Sequence, residues 1–281
     1  MVTTPTQSVE RALSILTCFT DEHPQLRVSD IAEQVELPQS TVSRLLRTME
    51  SLGFVERDAA TGLYRPGLSL VTLAGIVLNQ IPLRSEGFVE LSAVAAETGL
   101  ACNLAILRDD ALFYLATAEG PRAPKLFTMM GKRGPLHCTG MGKVLLAHLP
   151  EQEREAVLGR IGYPQYTPHT AGSADDLRPV LDEVIRRGYA MEREELAFGR
   201  ACVASPVRDA RGRVIAAVSI SGPLRELDLD RREPELAARV IEMADRISRR
   251  LGWVSMPPGA ARPAGRATQP AAATRAGRGE A

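Results

Sequence analysis

Two stretches in the second half of the chain carry residues that could hold a small ligand. The first, GPLHCTGMGK (134–143), contains three glycines and leads into a helix. The free backbone N–H groups at a helix start favour an anion, so this segment suits a carboxylate. In the second, GRACVASPV with AAVSISGP, strand alternation puts Ser219 and Ser221 on one face, with Cys202 on a neighbouring strand. Each serine alone is more often an ordinary satisfied hydroxyl, but the set predicts a site for a small acid.

A second kind of chemistry is indicated in LPQSTVSRLLRTMESLGF (37–54). The face of this helix away from its apolar residues has no acid before Glu50. It carries hydrogen-bonding groups, namely Ser40, Thr41, Ser43, Arg44, Arg47 and Thr48. Hydroxyls and guanidinium forks fit base edges and phosphates in a DNA major groove, although a solvated polar face would look similar. We expect Arg57 and Arg65, in the segment that follows, to contact phosphates.

The cysteines and histidines give little support for other chemistry. Cys18, Cys102, Cys138 and Cys202 are far apart and form no CxxC pair, so neither a disulfide framework nor a zinc finger is predicted. His137 beside Cys138 lacks zinc-ligand spacing. No Ser-His-Asp order, catalytic carboxylate pair or phosphate loop stands out, so we predict no catalytic residue, no metal and no cofactor. A thiol redox sensor using Cys138 or Cys202, or a small-molecule enzyme, stays open as an alternative.

The elements that position the polar helix are two further helices and a hairpin. Apolar spacing predicts an amphipathic helix over 8–19 with Ser8 as N-cap, and a short helix from about Ser29. The third helix should bury Val42, Leu45, Leu46, Met49 and Leu52, and end at Gly53. FVERDAATGLYRP (54–66) predicts two short strands around a turn. Three helices followed by a hairpin is the order of a winged helix-turn-helix, which we assign to residues 1–67.

Residues 68–81 form an apolar segment with helical character. Because it is apolar nearly all round, it must be buried on several sides. One chain offers little to cover it at a junction between domains. We therefore predict a linker helix that packs against its twin in a homodimer.

Residues 82–256 are predicted to be a mixed domain with an antiparallel sheet. The expected helices span 88–99, 139–149, 175–188 and 233–253. The expected strands are hairpins over 101–119 and 201–222 and a strand over 124–131. Helices with an antiparallel sheet indicate an α+β sensor domain. The Pro-, Gly-, Ala- and Arg-rich tail, 257–281, is predicted to be disordered.

Charge and targeting signals limit the functional classes. The chain has 281 residues with 34 basic and 34 acidic side chains, so no overall basic excess indicates nucleic acid. Residues 1–66 hold six arginines against nine acids, which leaves open a protein-interaction module without DNA binding. No signal peptide opens the chain, and the longest apolar run, 68–81, is shorter than a membrane span. We expect a cytoplasmic protein that does not contact a membrane.

Five motifs in this order resemble the IclR-type transcriptional regulators over roughly 7–253. They are QSVERALSIL, VSDIAEQVELPQSTVSRLLRTMESLGFVERD, GPLHCTGMGKVLLA, RRGYAMEREELAFGRACVASPV and AAVSISGP. The resemblance implies an N-terminal winged helix-turn-helix, a linker helix and a C-terminal GAF-like effector domain. It also implies a homodimer, or a homotetramer built as a dimer of dimers, and more often repression of a catabolic operon than activation.

The resemblance also implies an effector pocket. Matched by motif, its residues are Leu126, Gly140, Met141, Glu192, Cys202, Ser219 and Ser221. Met141 is bulkier than its counterpart in some relatives, Glu192 is one methylene longer than an Asp, and Arg200 lies where an apolar residue can occur. An anionic ligand is still favoured by the helix start and, if it points inward, by Arg200.

The sequence therefore predicts a ligand-responsive DNA-binding regulator. Its expected partners are a pseudo-palindromic double-stranded DNA operator and a small organic acid. Because Glu192 would repel a second carboxylate, we expect a monoacid with a hydroxyl or keto group. We expect its carboxylate on the N–H groups near 140–142.

Overall fold

The N-terminal region forms three helices and a two-stranded hairpin, as predicted. The computed structural model describes residues 6–123 and 129–254, so the predicted tail lies outside the described residues. The elements of this region are α1 (Gln7–Leu16), α2 (Val28–Gln34), α3 (Gln39–Ser51), β1 (Val55–Arg57) and β2 (Tyr64–Pro66). The two strands are antiparallel, and Leu26 adds a bridge to Tyr64. The helix order and the hairpin make this region a winged helix-turn-helix.

A small apolar core holds the three helices together. Ile15 of α1, Ile31 of α2 and Leu46 of α3 are fully buried in it, and Tyr64 of the hairpin closes one side. Gly53 follows α3 with a φ of +74°, the left-handed conformation that ends helices at glycine.

Two details of the sequence prediction are wrong in this region. The N-cap of α1 is Thr6, not Ser8, and its side chain makes no capping hydrogen bond. Leu52 is 62% exposed, because α3 ends at Ser51 and the chain turns away before Leu52 can reach the core.

Helix α4 (Ser69–Asn79) links the two halves of the chain. It has no buried residue, and Leu68, Val71, Ile76 and Val77 are more than half exposed. Its start is fastened to the end of α3, since Ser69 Oγ donates to the Leu52 carbonyl at 3.1 Å and Ser69 N donates to the Gly53 carbonyl. The apolar surface is therefore uncovered in a single chain.

The C-terminal region is an α+β domain around a six-stranded antiparallel sheet. Its helices are α5 (Pro82–Thr98), α6 (Gly140–Ala147), α7 (Glu151–Leu158), α8 (Ala174–Arg187), α9 (Leu224–Leu227) and α10 (Leu229–Arg250). Its strands are β3 (Ala101–Arg108), β4 (Ala111–Glu119), β5 (Arg133–Gly134), β6 (Ala190–Arg193), β7 (Arg200–Arg208) and β8 (Val214–Pro223). The strand order is β5-β4-β3-β8-β7-β6.

Each face of this sheet is covered by helices. One face, with Leu104, Val203 and Ile220, packs on α5 and α10. The other face, with Ala105 and Ala204, packs on α6 and α8. Helix α6 is short, so it covers only part of that second face. The strand residues that it does not cover lie beside its N-terminus.

Several predicted bounds in this domain change. The helix predicted over 88–99 begins at Pro82, because Pro82 occupies the first helical position, where its missing N–H costs nothing. The closing helix predicted over 233–253 begins at Leu229 and contains Pro234. Of the strand predicted over 124–131, residues 124–128 lie outside the described residues and 129–131 are not in a strand. Helix α7 and strand β6 were not predicted.

The predicted hairpins over 101–119 and 201–222 are present, and the first turns at Asp109 and Asp110, both with positive φ. Across the described residues, no helix combines the length and apolar character needed to span a bilayer.

Candidate functional site

A row of polar residues crosses the second sheet face beside the start of α6. Strand register places Thr117 opposite Asn103, Asn103 opposite Ser219, and Cys202 opposite both Ser221 and Glu192. Because paired residues of antiparallel strands point to the same face, these side chains share one surface. The predicted common face of Ser219, Ser221 and Cys202 is thus present, and it extends over five strands.

Hydrogen bonds along this row orient the two serines. Thr117 Oγ1 donates to Asn103 Oδ1 at 3.0 Å, which assigns the other end of the amide as the donor. Asn103 Nδ2 then donates to Ser219 Oγ at 3.3 Å and to Ser221 Oγ at 3.0 Å. Both serine oxygens therefore accept from Asn103, and within the described residues neither O–H has an acceptor. The pair is arranged to donate to an oxygen of a ligand.

The start of α6 offers fewer free N–H groups than its sequence implies. The Gly142 N–H donates to the side chain of its own N-cap, Thr139 Oγ1, at 3.1 Å. The Gly140 backbone lies close to the Cys202 sulfur, and its N–H has a lowering effect on the pKa of that thiol that is smaller than the rise caused by burial. Of the predicted set, the Met141 N–H is left without a partner in the described parts of the chain.

Close packing explains the two glycines of α6. A Cβ on Gly140 would come within 2.8 Å of Cys202 Sγ, and a Cβ on Gly142 within 2.3 Å of the Leu136 carbonyl oxygen. Both glycines let the helix start press against the sheet and its entry loop, so their role is close approach of backbone.

Glu192 brings a buried carboxyl group to the end of the row. It is 2% exposed, and its Oε1 accepts from the backbone N–H groups of Glu195 at 2.9 Å and Leu196 at 3.3 Å. Burial raises the pKa of Glu192, against the lowering effect of these bonds and of the Arg200 charge. The carboxyl is therefore less readily ionised than a surface glutamate.

The loop that donates its N–H groups to Glu192 is held in place by hydrogen bonds and an ion pair. Glu195 pairs with the buried ammonium of Lys143, which also donates to the Met191 carbonyl at 3.0 Å. The Thr167 and Thr170 hydroxyls donate to the carbonyls of Glu194 and Glu195 at 2.6 and 2.5 Å. These bonds hold Leu196 against the row.

Two adjoining cavities lie on this face. The inner cavity, about 10 Å³, has six of the predicted effector residues and several others in its wall. They are Asn103, Tyr114, Thr139, Gly140, Met141, Glu192, Leu196, Arg200, Cys202, Ser219 and Ser221. The outer cavity, about 160 Å³, shares Asn103, Arg200 and Ser221 with it. Small-molecule sites usually measure about 300–1,000 Å³, so the two cavities together suit a small ligand.

The structure brings together six of the seven predicted effector residues. Gly140, Met141, Glu192, Cys202, Ser219 and Ser221 all line the inner cavity, and Leu126 lies outside the described residues. Asn103, Thr117 and Tyr114 were missed, since only the strand register brings them to the row. The Tyr114 hydroxyl has no hydrogen-bond partner in the described parts of the chain, and burial raises its pKa to about 12.

The cysteines of this domain lack the character of redox centres. Cys102, Cys138 and Cys202 are buried, and burial raises the pKa of each thiol to about 12. Sensor cysteines combine a low pKa with exposure, and these thiols have neither. The geometry therefore disfavours the thiol-sensor alternative.

The second candidate surface is the outer face of α3. Ser40, Arg44 and Arg47 are exposed there, while Thr41 and Ser43 are half-buried. Arg47 Nε turns back to the Ser43 carbonyl at 3.4 Å. Thr48 Oγ1 donates to the Arg44 carbonyl, but the Arg44 guanidinium makes no hydrogen bond or ion pair within the described residues and is free to meet a partner.

The two arginines of the hairpin differ in their surroundings. Arg57 lies over the Tyr64 ring, with Cζ 5.8 Å from the centroid. Arg65 donates twice to Glu56 Oε2, at 3.0 and 2.9 Å, and its charge is thereby partly neutralised. Of the two predicted phosphate contacts, Arg57 is the better placed.

Family models match both halves of the chain. One described as bacterial transcriptional regulator IclR C-terminal matches residues 76–249, and one described as IclR helix-turn-helix domain matches residues 8–59.

Curated relatives cover nearly the whole chain. The HTH-type transcriptional regulator XynR of Escherichia coli is 34% identical over 247 residues, 88% of this chain and 98% of that protein. The HTH-type transcriptional repressor AllR of Klebsiella pneumoniae is 34% identical over 248 residues, 88% of this chain and 90% of that protein. KdgR of Dickeya chrysanthemi is 32% identical over 250 residues, 89% of this chain and 81% of that protein.

Solved structures share the fold. The Thermotoga maritima IclR matches with a TM-score of 0.72 and 29% identity, over 88% of this chain and 99% of that one. An IclR homolog from Microbacterium hydrocarbonoxydans, complexed with 4-hydroxybenzoate, matches with a TM-score of 0.76 and 28% identity, over 87% of this chain and 98% of that one.

Proposed function

The chain belongs to the IclR family of bacterial transcriptional regulators, and we propose that it represses a catabolic operon and is released by a small organic acid. Repression is supported by relatives named as repressors and as an operon regulatory protein. An enzymatic role receives no support from these relatives, which are regulators.

The inner cavity carries the proposal for the effector. The Ser219 and Ser221 hydroxyls and the Met141 N–H can donate to a ligand, and they favour a ligand rich in acceptor oxygens. Among the described residues of this wall Glu192 is the one carboxyl, and it disfavours a second carboxylate nearby. A monoacid with a hydroxyl or keto group satisfies both conditions. The 4-hydroxybenzoate bound to a solved relative is an acid of this kind.

The DNA-binding surface is proposed to be the outer face of α3 with the hairpin. Its residues are Ser40, Thr41, Ser43, Arg44, Arg47, Arg57 and Arg65. The free Arg44 guanidinium supports base reading, because guanidinium forks bind guanine edges in two places at once.

Helix α4 is proposed to join two protomers and to transmit the effector signal. Its uncovered apolar surface supports a homodimer, which can pair further into a tetramer. The operator is then a pseudo-palindrome with half-sites spaced by whole helical turns, about 34–36 Å each. The corresponding domain bounds are 1–67, 68–81 and 82–256.

Calorimetry against a panel of organic acids tests this proposal. We expect the wild type to bind a monoacid, and the Ser219→Ala, Ser221→Ala double variant to bind it at least about tenfold more weakly, since two hydrogen bonds are lost. Ser205→Ala is the matched control, because Ser205 is equally buried on β7 but donates to the Gly188 carbonyl. Equal binding by wild type and double variant, or a cationic effector, would place the effector elsewhere.

A further inference from the structure

Arg200 is an unpaired cation at the junction of the two cavities. It contributes to the walls of both, and it forms no ion pair or hydrogen bond through its side chain with any residue in 6–123 or 129–254. Most described arginines of this domain form an ion pair with a carboxylate. Arg193 pairs with Asp230, and Arg187 pairs with Glu183. An unpaired guanidinium facing a cavity is a natural partner for a carboxylate.

The interior of the inner cavity is a poor place for the charge of the effector. A carboxylate there would lie beside Glu192, and the repulsion would force one of the two groups to take a proton. The Gly142 N–H is already engaged by Thr139, so the helix start offers only part of its N–H groups as compensation. The serine hydroxyls, by contrast, donate equally well to a neutral oxygen.

Resting on the proposed function, we propose that Arg200 binds the effector carboxylate at the junction of the cavities, and that the neutral hydroxyl or keto oxygen points inward to Ser219 and Ser221. Glu192 then faces the neutral end of the ligand. It accepts a hydrogen bond from a hydroxyl when ionised and donates one to a keto oxygen when protonated.

In this orientation the outer cavity is left for an apolar group that branches beside the carboxylate. Ala101, Met129 and Pro223 give it largely apolar walls, Glu119 is the one carboxyl among its described residues, and it is larger than the inner cavity. Among the described residues, only Ser221, Asn103 and Arg200 belong to both walls. The ligand carboxylate is therefore bound where the polar row meets the outer cavity.

The test separates charge recognition from recognition of the neutral oxygen. Calorimetry on the full chain uses 4-hydroxybenzoate, its uncharged analogue 4-hydroxybenzamide and its deoxy analogue benzoate, and a compact set of lactate, lactamide and propionate. We expect the wild type to prefer each hydroxy acid over its amide by about 10- to 100-fold. In Arg200→Leu this acid-over-amide ratio should fall close to one while the hydroxyl-over-deoxy ratio is kept, and Arg200→Lys should retain part of the acid preference.

Two further variants complete the test. The Ser219→Ala, Ser221→Ala variant should show the converse pattern, losing the hydroxyl preference and keeping the acid preference. Arg225→Leu removes the same charge from a side chain that is 86% exposed, and it should behave as wild type.

Three results would overturn the inference. The first is an Arg200→Leu variant that still prefers the acid over its amide as wild type does, while the serine variant loses binding. This result would refute the Arg200 assignment and leave the proposed function standing. A pattern with the two ratios exchanged would show the reverse orientation. Binding of neither hydroxy acid by the wild type would count against this inference and the proposed function together.

Discussion

At the scale of single residues, each of the two proposed binding surfaces contains an arginine side chain without an ion-pair partner. Arg44 on α3 and Arg200 on β7 have no ion-pair partner within the described residues, whereas Arg65 is held by Glu56. An unpaired guanidinium can contact a ligand without first breaking an internal bond, so these two arginines should dominate recognition in their domains.

Arg44→Ala should weaken operator binding by about 1–3 kcal/mol and relax base preference at one position, since a bidentate base contact is lost. Arg65→Ala should have a smaller effect, because the charge of Arg65 is already shared with Glu56. Fluorescence anisotropy with operator DNA and single-base variants measures both. If neither Arg44→Ala nor Arg47→Ala weakened binding, α3 would not be the recognition helix.

Arg57→Ala should weaken binding to all DNA sequences alike and reduce the dependence of affinity on salt by about one counterion, as expected for a phosphate contact. The measurement is operator affinity over a series of salt concentrations, with a non-operator duplex alongside. A loss confined to the operator would instead indicate base reading by the wing.

Glu192 should make the free energy of unfolding depend on pH. Its pKa in the folded state is raised above the ordinary 4.5 by burial, so the folded state holds the proton more tightly than the unfolded state. Wild-type stability should therefore fall as pH rises from about 4.5 through the raised pKa. Glu192→Gln has no ionisable group at this position, so its stability should not fall over this interval. The melting temperature of the variant should therefore rise relative to that of wild type as the pH increases. Parallel melting curves from pH 4 to 8 would contradict it.

The four thiols should be unreactive in the native protein. All are buried, and burial raises the pKa of three of them to about 12. A thiol reagent at pH 8 should modify none in the folded state and four after denaturation. Rapid native modification of Cys138 or Cys202 would restore the redox alternative.

At the scale of elements, helix α4 is the feature whose surroundings are incomplete in one chain. Ile76 and Val77 are 57% and 59% exposed on a helix with no buried residue. Burying one isoleucine contributes about 1.5–3 kcal/mol, and a symmetric dimer buries it twice.

Ile76→Glu should therefore raise the dimer dissociation constant by about 100-fold or more. Ile185→Glu, at a 51% exposed position on α8, is the matched control and should leave the dimer intact. Light scattering at micromolar concentration distinguishes the two. A wild-type monomer, or an Ile76→Glu variant that stays dimeric, would remove α4 from the interface.

The elements also show which parts of the fold could be predicted from the sequence. Apolar periodicity located α3, α8 and both long hairpins, because each has one clearly buried face. It missed α7, which is short and mostly polar, and residues 82–87 at the start of α5. Ser219 and Ser221 followed from strand alternation, but Asn103 did not, since its place in the row depends on pairing between β3 and β8 across 116 residues of chain.

At the scale of the whole molecule, α4 connects the two domains that carry the proposed binding surfaces. Ser69 at its start is bonded to the carbonyls at the end of α3, and α4 leads directly into α5, which packs on the effector sheet. A Cβ on Gly67 would come within 2.3 Å of the Gly53 carbonyl oxygen, so this junction is tightly packed. Rearrangement of α5 on ligand binding would move α4 and change the spacing of two DNA-binding domains in a dimer, which couples the sites through a shared element.

The most direct test of this account is operator affinity with and without effector. An operator recovered by selection of bound genomic fragments is titrated with the full-length protein, with and without a saturating acid whose binding has been verified by calorimetry. The account predicts that the acid weakens wild-type operator affinity by about tenfold or more, within the usual range of coupling energies, and that the Ser219→Ala, Ser221→Ala variant keeps its affinity at the same acid concentration. Unchanged wild-type affinity with the effector site fully occupied would contradict it.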